Sequence, residues 1–222
     1  MARTKHILAV LFTLIAAAAA RPTGSYCLEP IDMRVLKSAD ECRYRSMDCF
    51  MTDVSEAWNP ENLILASLPV MALGDDRAFR CLELAWQSML ISESTTAALK
   101  WTVNRERPDG EPHSRANSSF PSSHASSSFA VAFSVSTYYP RWTIPAYGMA
   151  ALISYSRVYL DAHHPGDIIV GAGIGVMGGY LANRYLRRWH IDRGEVLSQI
   201  PIRVEAGEGL GSVKIYFSRR IR

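Results

Sequence analysis

Three polar clusters lie between Lys100 and Asp167, in a part of the chain that is otherwise largely apolar. The first cluster runs from Lys100 to Pro108, the second is Pro121-Ser122-Ser123-His124, and the third runs from Ser156 to Asp167. Their residues include three cations, two imidazoles and one carboxylate whose types and spacing suit chemistry: Lys100, Arg107, Arg157, His124, His163 and Asp167. A phosphoryl group in transfer spreads negative charge over its oxygens, so its site needs cations and N–H donors that converge on one point. These residue types therefore predict a phosphate-handling site.

The second cluster stands at a predicted helix start. A helix is expected from Pro121 to about Tyr139, where Pro140 ends it. The first N–H groups of a helix have no partner inside it and form an anion site. Alternatively, Ser122 and Ser123 only cap the helix. Beside the other two clusters, we favour the anion site.

The third cluster places an imidazole before a helix and a carboxylate inside it. Pro165 disfavours helical geometry at His164, so His163 is expected in the turn before the helix and Asp167 in its first turn. From there Asp167 can accept a hydrogen bond from one ring nitrogen of His163. That bond would fix the tautomer that a nucleophilic imidazole needs.

Taken together, the clusters resemble the signature of the phosphatidic acid phosphatase type 2 superfamily, which also contains bacterial class A acid phosphatases and vanadium haloperoxidases. The signature reads K-x6-RP, then PSGH, then SR-x5-H-x3-D. The chain matches the first and third parts and departs once in the second, where Ser123 stands at the family's glycine. The added Cβ lies where backbone approaches the anion, so phosphate affinity or pocket size is expected to change. The N–H of Ser123 remains.

The resemblance implies a role for each side chain. His163 attacks phosphorus to form a phosphohistidine, and Asp167 orients it. His124 protonates the leaving oxygen and then activates water, which suits an imidazole with a pKa near neutrality. The phosphoryl oxygens are held by Lys100, Arg107, Arg157, Ser122 and the N–H of Ser123. The resemblance requires no metal and no other cofactor, and no metal-ligand spacing is evident. Vanadate is expected as an inhibitor or, in the haloperoxidase branch, as a prosthetic group.

Helical periodicity around the clusters predicts an all-α fold, a bundle of about five to six core helices. The predicted helices cover Leu63 to Leu73, Arg77 to Val103, Pro121 to Tyr139, Ile144 to Leu160 and Pro165 to Trp189, with a loop from Asn104 to Ser119. The segment before Asn59 is weakly periodic and predicts only a short helix or two. Glycines between Gly171 and Gly179 permit the last helix to pack closely inside the bundle.

Both ends of the chain differ from the bundle. Met1 to Ala20 has a charged start and an apolar core, which predicts a secretory signal peptide, with an uncleaved anchor as the alternative. We divide the chain into a signal peptide (1–20), a disulfide-capable segment (21–60), a helical catalytic domain (61–190) and a tail (191–222). In the tail, Ile202 to Glu205 and Val213 to Phe217 alternate around glycines and predict a short β-hairpin.

Cysteine usage and charge narrow the functional class. All four cysteines, Cys27, Cys42, Cys49 and Cys81, precede the clusters. In an exported protein this even count favours one or two disulfides, with free thiols as the alternative. The chain has 24 basic and 21 acidic residues; loss of Arg3 and Lys5 with the signal peptide leaves 22 basic residues and lowers the formal charge from +3 to +1. This balance gives no argument for nucleic-acid binding.

The leading hypothesis is an exported phosphatase, periplasmic or secreted, that hydrolyses soluble phosphomonoesters without a metal. The alternatives are a lipid phosphate or polyprenyl diphosphate phosphatase in or on a membrane, a vanadate-dependent haloperoxidase, and a non-catalytic helical binding protein. The partner is then a phosphorylated small molecule or a phospholipid, and no oligomeric state is predicted. The short run from Leu63 to Leu73 and the mean hydropathy of -0.01 favour a soluble or peripheral protein.

Overall fold

The structure is a computed structural model and describes residues 29–41, 45–110, 114–188, 202–206 and 213–217. Within these ranges the fold is all-α as predicted, with seven α-helices ahead of two short strands. The helices are α1 (Glu29–Glu41), α2 (Arg45–Ala57), α3 (Pro60–Leu73), α4 (Asp76–Val103), α5 (Ser123–Tyr138), α6 (Thr143–Tyr159) and α7 (Pro165–Arg188). The last five begin and end close to their predicted bounds. The connections also contain two single-turn 3-10 helices, Arg115–Asn117 and Pro140–Trp142.

Helix α5 lies at the centre of the bundle, with α4, α6 and α7 packed around it. Its buried side chains are alanines and serines, and the serine hydroxyls donate to carbonyl groups one turn earlier, as Ser134 does to Ala130 at 2.9 Å. Helix α7 comes close because glycines face α5. A Cβ built on Gly171 would lie only 2.6 Å from the carbonyl oxygen of Ser122. This close packing sets the first turns of α5 and α7 side by side.

The two N-terminal helices belong to the folded core. Met51 of α2 is buried against Tyr159 of α6, and the Tyr159 hydroxyl donates to Asp48 at 2.8 Å. At the end of α2, the indole N–H of Trp58 donates to the hydroxyl of Ser127 in α5 at 2.9 Å. The segment before Asn59 is therefore more ordered than its weak periodicity predicted, because tertiary contacts with α5 and α6 hold it.

Two of the four cysteines lie in the described residues. Cys49 is exposed, Cys81 is buried, and both are free thiols. The expectation of two disulfides is therefore wrong. The other expectation, a single disulfide, stays a prediction, because Cys27 and Cys42 lie outside the described part of the chain.

Helix α3 is apolar around its circumference and packs chiefly on α4. Ser67 is its buried residue, whereas five large apolar side chains are more than half exposed. They are Ile64, Leu65, Leu68, Met71 and Leu73. Among the described helices, one segment, Pro165–Tyr185, is long and apolar enough to cross a membrane, and 44% of its most apolar window is buried.

The chain divides into two compact units at Tyr185. The first unit contains α1 to α6 and the part of α7 that ends at Arg184. The second contains two short strands, β1 (Ile202–Ala206) and β2 (Val213–Phe217), which pair antiparallel with Ile202 opposite Phe217. The turn of the predicted hairpin and the signal peptide lie outside the described residues, so both stay predictions.

Candidate active site

The structure brings the eight predicted site residues to one end of the bundle. They come from the end of α4 (Lys100), the loop after it (Arg107), the start of α5 (Ser122, Ser123, His124), the end of α6 (Arg157), the following turn (His163) and the first turn of α7 (Asp167). Burial lowers the pKa of Lys100 and of Arg157, and the charge of Arg107 lowers both further. Cations gathered this closely favour an anion among them.

Lys100 is almost fully buried at the C-terminal end of α4. The helix ends at Asn104, which adopts a left-handed conformation with φ of 46°, and this turns the chain into the site loop. The ammonium of Lys100 donates to the carbonyl oxygen of Ser118. Burial and the neighbouring Arg107 lower its pKa to about 8, so the side chain is still a cation at neutral pH.

Arg157 and His124 share a neighbour that the sequence did not indicate. Ser55, a buried residue of α2, accepts a 2.5 Å hydrogen bond from Arg157 Nη1 through its hydroxyl. Its carbonyl oxygen lies 3.3 Å from His124 Nε2, which must carry the proton because a carbonyl only accepts. Arg157 Nε is buried and, among the described residues, makes no hydrogen bond. A buried donor of this kind needs an acceptor, and a phosphoryl oxygen is one.

His163 is held differently from the expected arrangement. It lies in the turn before α7 and Asp167 lies in the first helical turn, as predicted. However, His163 Nδ1 lies 3.9 Å from the nearest Asp167 oxygen, too far for a hydrogen bond. Instead Nδ1 lies 2.6 Å from the carbonyl oxygen of Ser119 and donates to it. This bond still fixes the tautomer, because it leaves Nε2 as the unprotonated nitrogen of the neutral ring.

Asp167 is fully buried and acts as an anchor for the surrounding backbone. Its Oδ2 accepts from the Ser119 hydroxyl at 2.5 Å and from the N–H of His164 at 2.9 Å. The second bond is the acidic half of a capping box, in which a third-position carboxylate bonds the N–H ahead of the helix. Asp167 therefore contacts His163 mainly through Ser119, whose hydroxyl it binds and whose carbonyl holds the imidazole.

Ser122 and Ser123 open α5 as predicted, and Ser122 takes the capping role that was the alternative. The Ser122 hydroxyl accepts from the N–H of Ala125 at 3.5 Å, and the Ser122 N–H donates to the Asp167 carbonyl at 3.2 Å. The N–H of Ser122 is thus engaged within the protein. Phosphate binding by the Ser122 hydroxyl and by the N–H of Ser123 stays a prediction.

The two imidazoles are neutral at neutral pH. Burial and the charge of Arg157 together lower the pKa of His124 to about 4. Burial also lowers the pKa of His163 to about 4, an effect that Asp167 opposes. A neutral His163 is the form that can attack. The pKa of His124 lies below the expected neutral range because burial and the charges of Arg157 and Lys100 disfavour the protonated ring, and a phosphate dianion beside the ring would raise it.

Four residues around the site were missed from the sequence: Asp32, Ser55, Arg105 and Ser119. Arg105 lies inside the first cluster, and its charge was a signal that would have identified it as a candidate site residue. Ser119 lies two residues before Pro121, where the second cluster begins, and this proximity was a weaker signal of a site residue. Asp32 and Ser55 lie far upstream in α1 and α2, and nothing in their local sequence links them to the clusters.

The fold and the site together define a class of protein. Residues 84–191 match the family described as the PAP2 superfamily, and this stretch contains the end of α4, all three clusters and α7. Residues 84–191 therefore belong to the PAP2 superfamily, as the three clusters within them indicated.

Relatives and solved structures agree with this assignment. The chain is 28% identical over 159 residues to a lipid A 1-phosphatase of Porphyromonas gingivalis, covering 64% of this chain and 32% of that protein. It is 40% identical over 91 residues to a lipid A 4'-phosphatase of Bacteroides thetaiotaomicron, covering 40% of this chain and 37% of the relative. The chain thus spans about a third of the length of these relatives.

Two crystal structures share the fold. Aquifex aeolicus LpxE superposes with a TM-score of 0.60 at 22% identity, covering 69% of this chain and 94% of that one. A transmembrane PAP2 type phosphatidylglycerolphosphate phosphatase from Bacillus subtilis gives a TM-score of 0.58 at 20% identity, covering 83% of this chain and 98% of the other. At these identities the likeness concerns the fold.

Proposed function

We propose that this protein is a membrane-associated phosphatase that removes a phosphate group from a phosphorylated lipid through a phosphohistidine intermediate. The observation that carries the proposal is the convergence of Lys100, Arg107 and Arg157 on the start of α5, beside a neutral His163 with its tautomer fixed. The buried, unpaired Nε of Arg157 supports an oxyanion as the ligand at this point.

The first chemical step uses the two imidazoles on opposite bonds of phosphorus. His163 Nε2 attacks the phosphorus atom, and the bond from phosphorus to the lipid oxygen breaks. His124, protonated when the phosphate dianion raises its pKa, gives its proton to that oxygen. The cations hold the remaining phosphoryl oxygens, whose charge is most concentrated in the transition state.

The second step releases phosphate. His124 is now neutral and takes a proton from a water molecule, whose oxygen attacks the phosphohistidine. The bond between His163 Nε2 and phosphorus breaks, and inorganic phosphate leaves. Throughout both steps the Nδ1 hydrogen bond to Ser119 keeps Nε2 directed at phosphorus and stabilises the positive charge that develops on the ring.

A lipid substrate is favoured over the soluble phosphomonoester that the sequence first indicated. Both lipid A phosphatase relatives, and the phosphatidylglycerolphosphate phosphatase that shares the fold, are named for phosphorylated lipids. The exposed apolar side chains of α3 form a continuous helical surface of a kind that marks contact with membranes or other proteins. Hydropathy averaged over the chain missed this surface, because the polar bundle helices offset it.

The test is hydrolysis by full-length protein in mixed detergent and lipid micelles containing a chelator. Phosphatidic acid and phosphatidylglycerol phosphate represent the lipids, and para-nitrophenyl phosphate represents the soluble esters. We expect release of phosphate from a lipid, with a higher kcat/KM than for the soluble ester and no activity in His163→Asn. Turnover of the soluble ester alone would overturn the lipid assignment and restore the soluble phosphatase.

A further inference from the structure

A buried chain of charges extends from the site into the N-terminal helix. Arg105 donates to Asp167 Oδ1 at 2.7 Å through Nη1 and to Asp32 Oδ2 at 3.0 Å through Nη2. All three side chains are at most 8% exposed. Ionised groups are rarely buried without partners, since removing them from water costs much free energy. This arrangement therefore needs an account beyond general stability.

Asp32 reaches the same helix start as Asp167. Its Oδ1 accepts from the N–H of Gly166 at 2.8 Å, in the first turn of α7. The first N–H groups of a helix have no partner within the helix, so a carboxylate from α1 caps α7 from outside. Asp32 is thereby fixed at both oxygens, one on the α7 backbone and the other on Arg105.

The backbone of Arg105 also contacts Ser119, the residue whose carbonyl group holds the ring of His163. Its carbonyl oxygen accepts from the N–H of Ser119 at 2.9 Å, and Ser119 is the residue whose carbonyl holds His163 Nδ1. Arg105 therefore contacts both groups that position the imidazole, Asp167 through its guanidinium and Ser119 through its main chain.

From this geometry we propose that Arg105 and Asp32 are positioning residues, which hold Asp167 and Ser119 so that His163 Nε2 faces phosphorus. The proposal rests on the proposed phosphohistidine chemistry. It also makes α1 a functional part of the site, although α1 lies outside the matched family region of residues 84–191. Partners that orient a catalytic imidazole typically affect turnover without binding the substrate.

The experiment compares Arg105→Gln, Asp32→Asn and their double variant with the native protein. Asp53→Asn is the control, because Asp53 is exposed on α2 and outside this cluster. We expect kcat for the preferred substrate to fall about 10- to 100-fold in each single variant, with KM changed much less. The double variant is expected to lose little more than Arg105→Gln alone, because the two residues act as one unit.

Two further measurements separate positioning from general stability. Equilibrium binding of vanadate to the folded variants is expected to stay within about threefold of native, since the phosphate-binding cations are unaltered. Nitrogen-15 NMR of the His163 ring, assigned by its loss in His163→Asn, is expected to show Nδ1 protonated in the native protein and mixed tautomers in the variants. If Arg105→Gln does not fold, Asp32→Asn carries the test, because it preserves the shape of the side chain.

Two outcomes would overturn the proposal. One is native kcat in Asp32→Asn and Arg105→Gln; the other is loss of vanadate binding in parallel with kcat, which would indicate a collapsed site. A failure of the proposed function looks different. In that case the native protein releases no phosphate from any ester, while the NMR comparison of His163 tautomers still decides whether Arg105 and Asp32 position the ring.

Discussion

His163 donates its Nδ1 proton to the backbone carbonyl of Ser119 across 2.6 Å, so a main-chain group fixes the tautomer of the candidate nucleophile. A carbonyl oxygen cannot donate and does not change its protonation in the working pH range. The nucleophilic nitrogen is therefore Nε2 at every pH at which His163 is neutral.

The first prediction distinguishes His163 from its neighbour. In His163→Asn the nucleophilic nitrogen is gone, so we expect no phosphoenzyme and a fall in turnover by several orders of magnitude. His164→Asn should be mild, because the shorter of its two contacts with Asp167 Oδ2, the 2.9 Å bond from the backbone N–H, is retained by asparagine, and only the 3.4 Å contact of ring Nδ1 is lost. The measurement is acid-quenched trapping of labelled phosphoenzyme, with circular dichroism to show that both variants fold. An intermediate that persists in His163→Asn and disappears in His164→Asn would reverse the assignment.

Much of this site could be predicted because each cluster falls at a helix end, and caps and prolines mark such ends locally. Pro165 placed His163 ahead of α7, and Ser122 placed the start of α5. The partner of His163 could not be predicted, because the Ser119 carbonyl is a main-chain group that any residue supplies. Asp32 was equally hidden, since only the packed bundle brings a residue from α1 to the start of α7.

The exposure of α3 shows a second limit of prediction from the sequence. Its sequence predicts an apolar helix, and the structure confirms the helix. Whether such a helix is buried depends on what packs on it, which composition does not report. Here large side chains such as Leu65 and Leu73 remain exposed, whereas the apolar α7 is partly buried in the bundle.

The second prediction concerns the alkaline limit of activity. Burial and the charges of Arg107 and Arg157 lower the pKa of Lys100 to about 8, against the opposing charges of Asp167 and Glu93. The Lys100 ammonium is needed to bind phosphate, so kcat/KM is expected to have its full value below about pH 8 and to fall as the pH rises through that value. The corresponding alkaline limb of the kcat profile should lie at higher pH, because bound phosphate stabilises the ammonium.

Lys100→Arg provides the control for this limb. Arginine keeps its charge across the range, so the alkaline fall in kcat/KM should move upward even though the changed geometry lowers activity. Complete pH profiles of both proteins with the same substrate make the comparison. If the limb stays at the same pH in Lys100→Arg, another group causes it.

The third prediction concerns the departure from the family signature. Burial raises the pKa of Glu93 in α4, and hydrogen bonds from Ser126 and Ser123 oppose the rise. Ser123→Gly removes one of these donors, so the pKa of Glu93 rises further and its negative charge is reduced. The substitution also removes the Cβ beside the anion site. Phosphate and vanadate should therefore bind roughly fivefold tighter, a change of about 1 kcal/mol. The measurement is the inhibition constant of each anion, with Ser136→Gly in the same helix as the control. Weaker binding in Ser123→Gly would show that the serine hydroxyl itself binds the anion.

The last prediction tests the packing that sets the two helix starts together. A Cβ added at Gly175 in α7 would overlap the carbonyl oxygen of Ser126 and lie 2.9 Å from the Cβ of Phe129. Gly175→Ala is therefore expected to destabilise the fold by about 1–3 kcal/mol, the usual cost of overpacking. Gly148 in α6 is the matched control, because a Cβ there meets nothing within 4 Å.

Gly148→Ala should stabilise the protein by up to about 1 kcal/mol, since alanine is the better helix former. The same gain in helix propensity applies to Gly175→Ala, so the difference between the two variants isolates the contact between α5 and α7. Thermal unfolding under identical conditions should place Gly175→Ala several degrees below Gly148→Ala, at roughly 2–4 °C per kcal/mol for a chain of this size. Equal unfolding temperatures would mean that α7 does not press against α5 at Gly175, and the placement of Asp167 beside Ser122 would lose its structural basis.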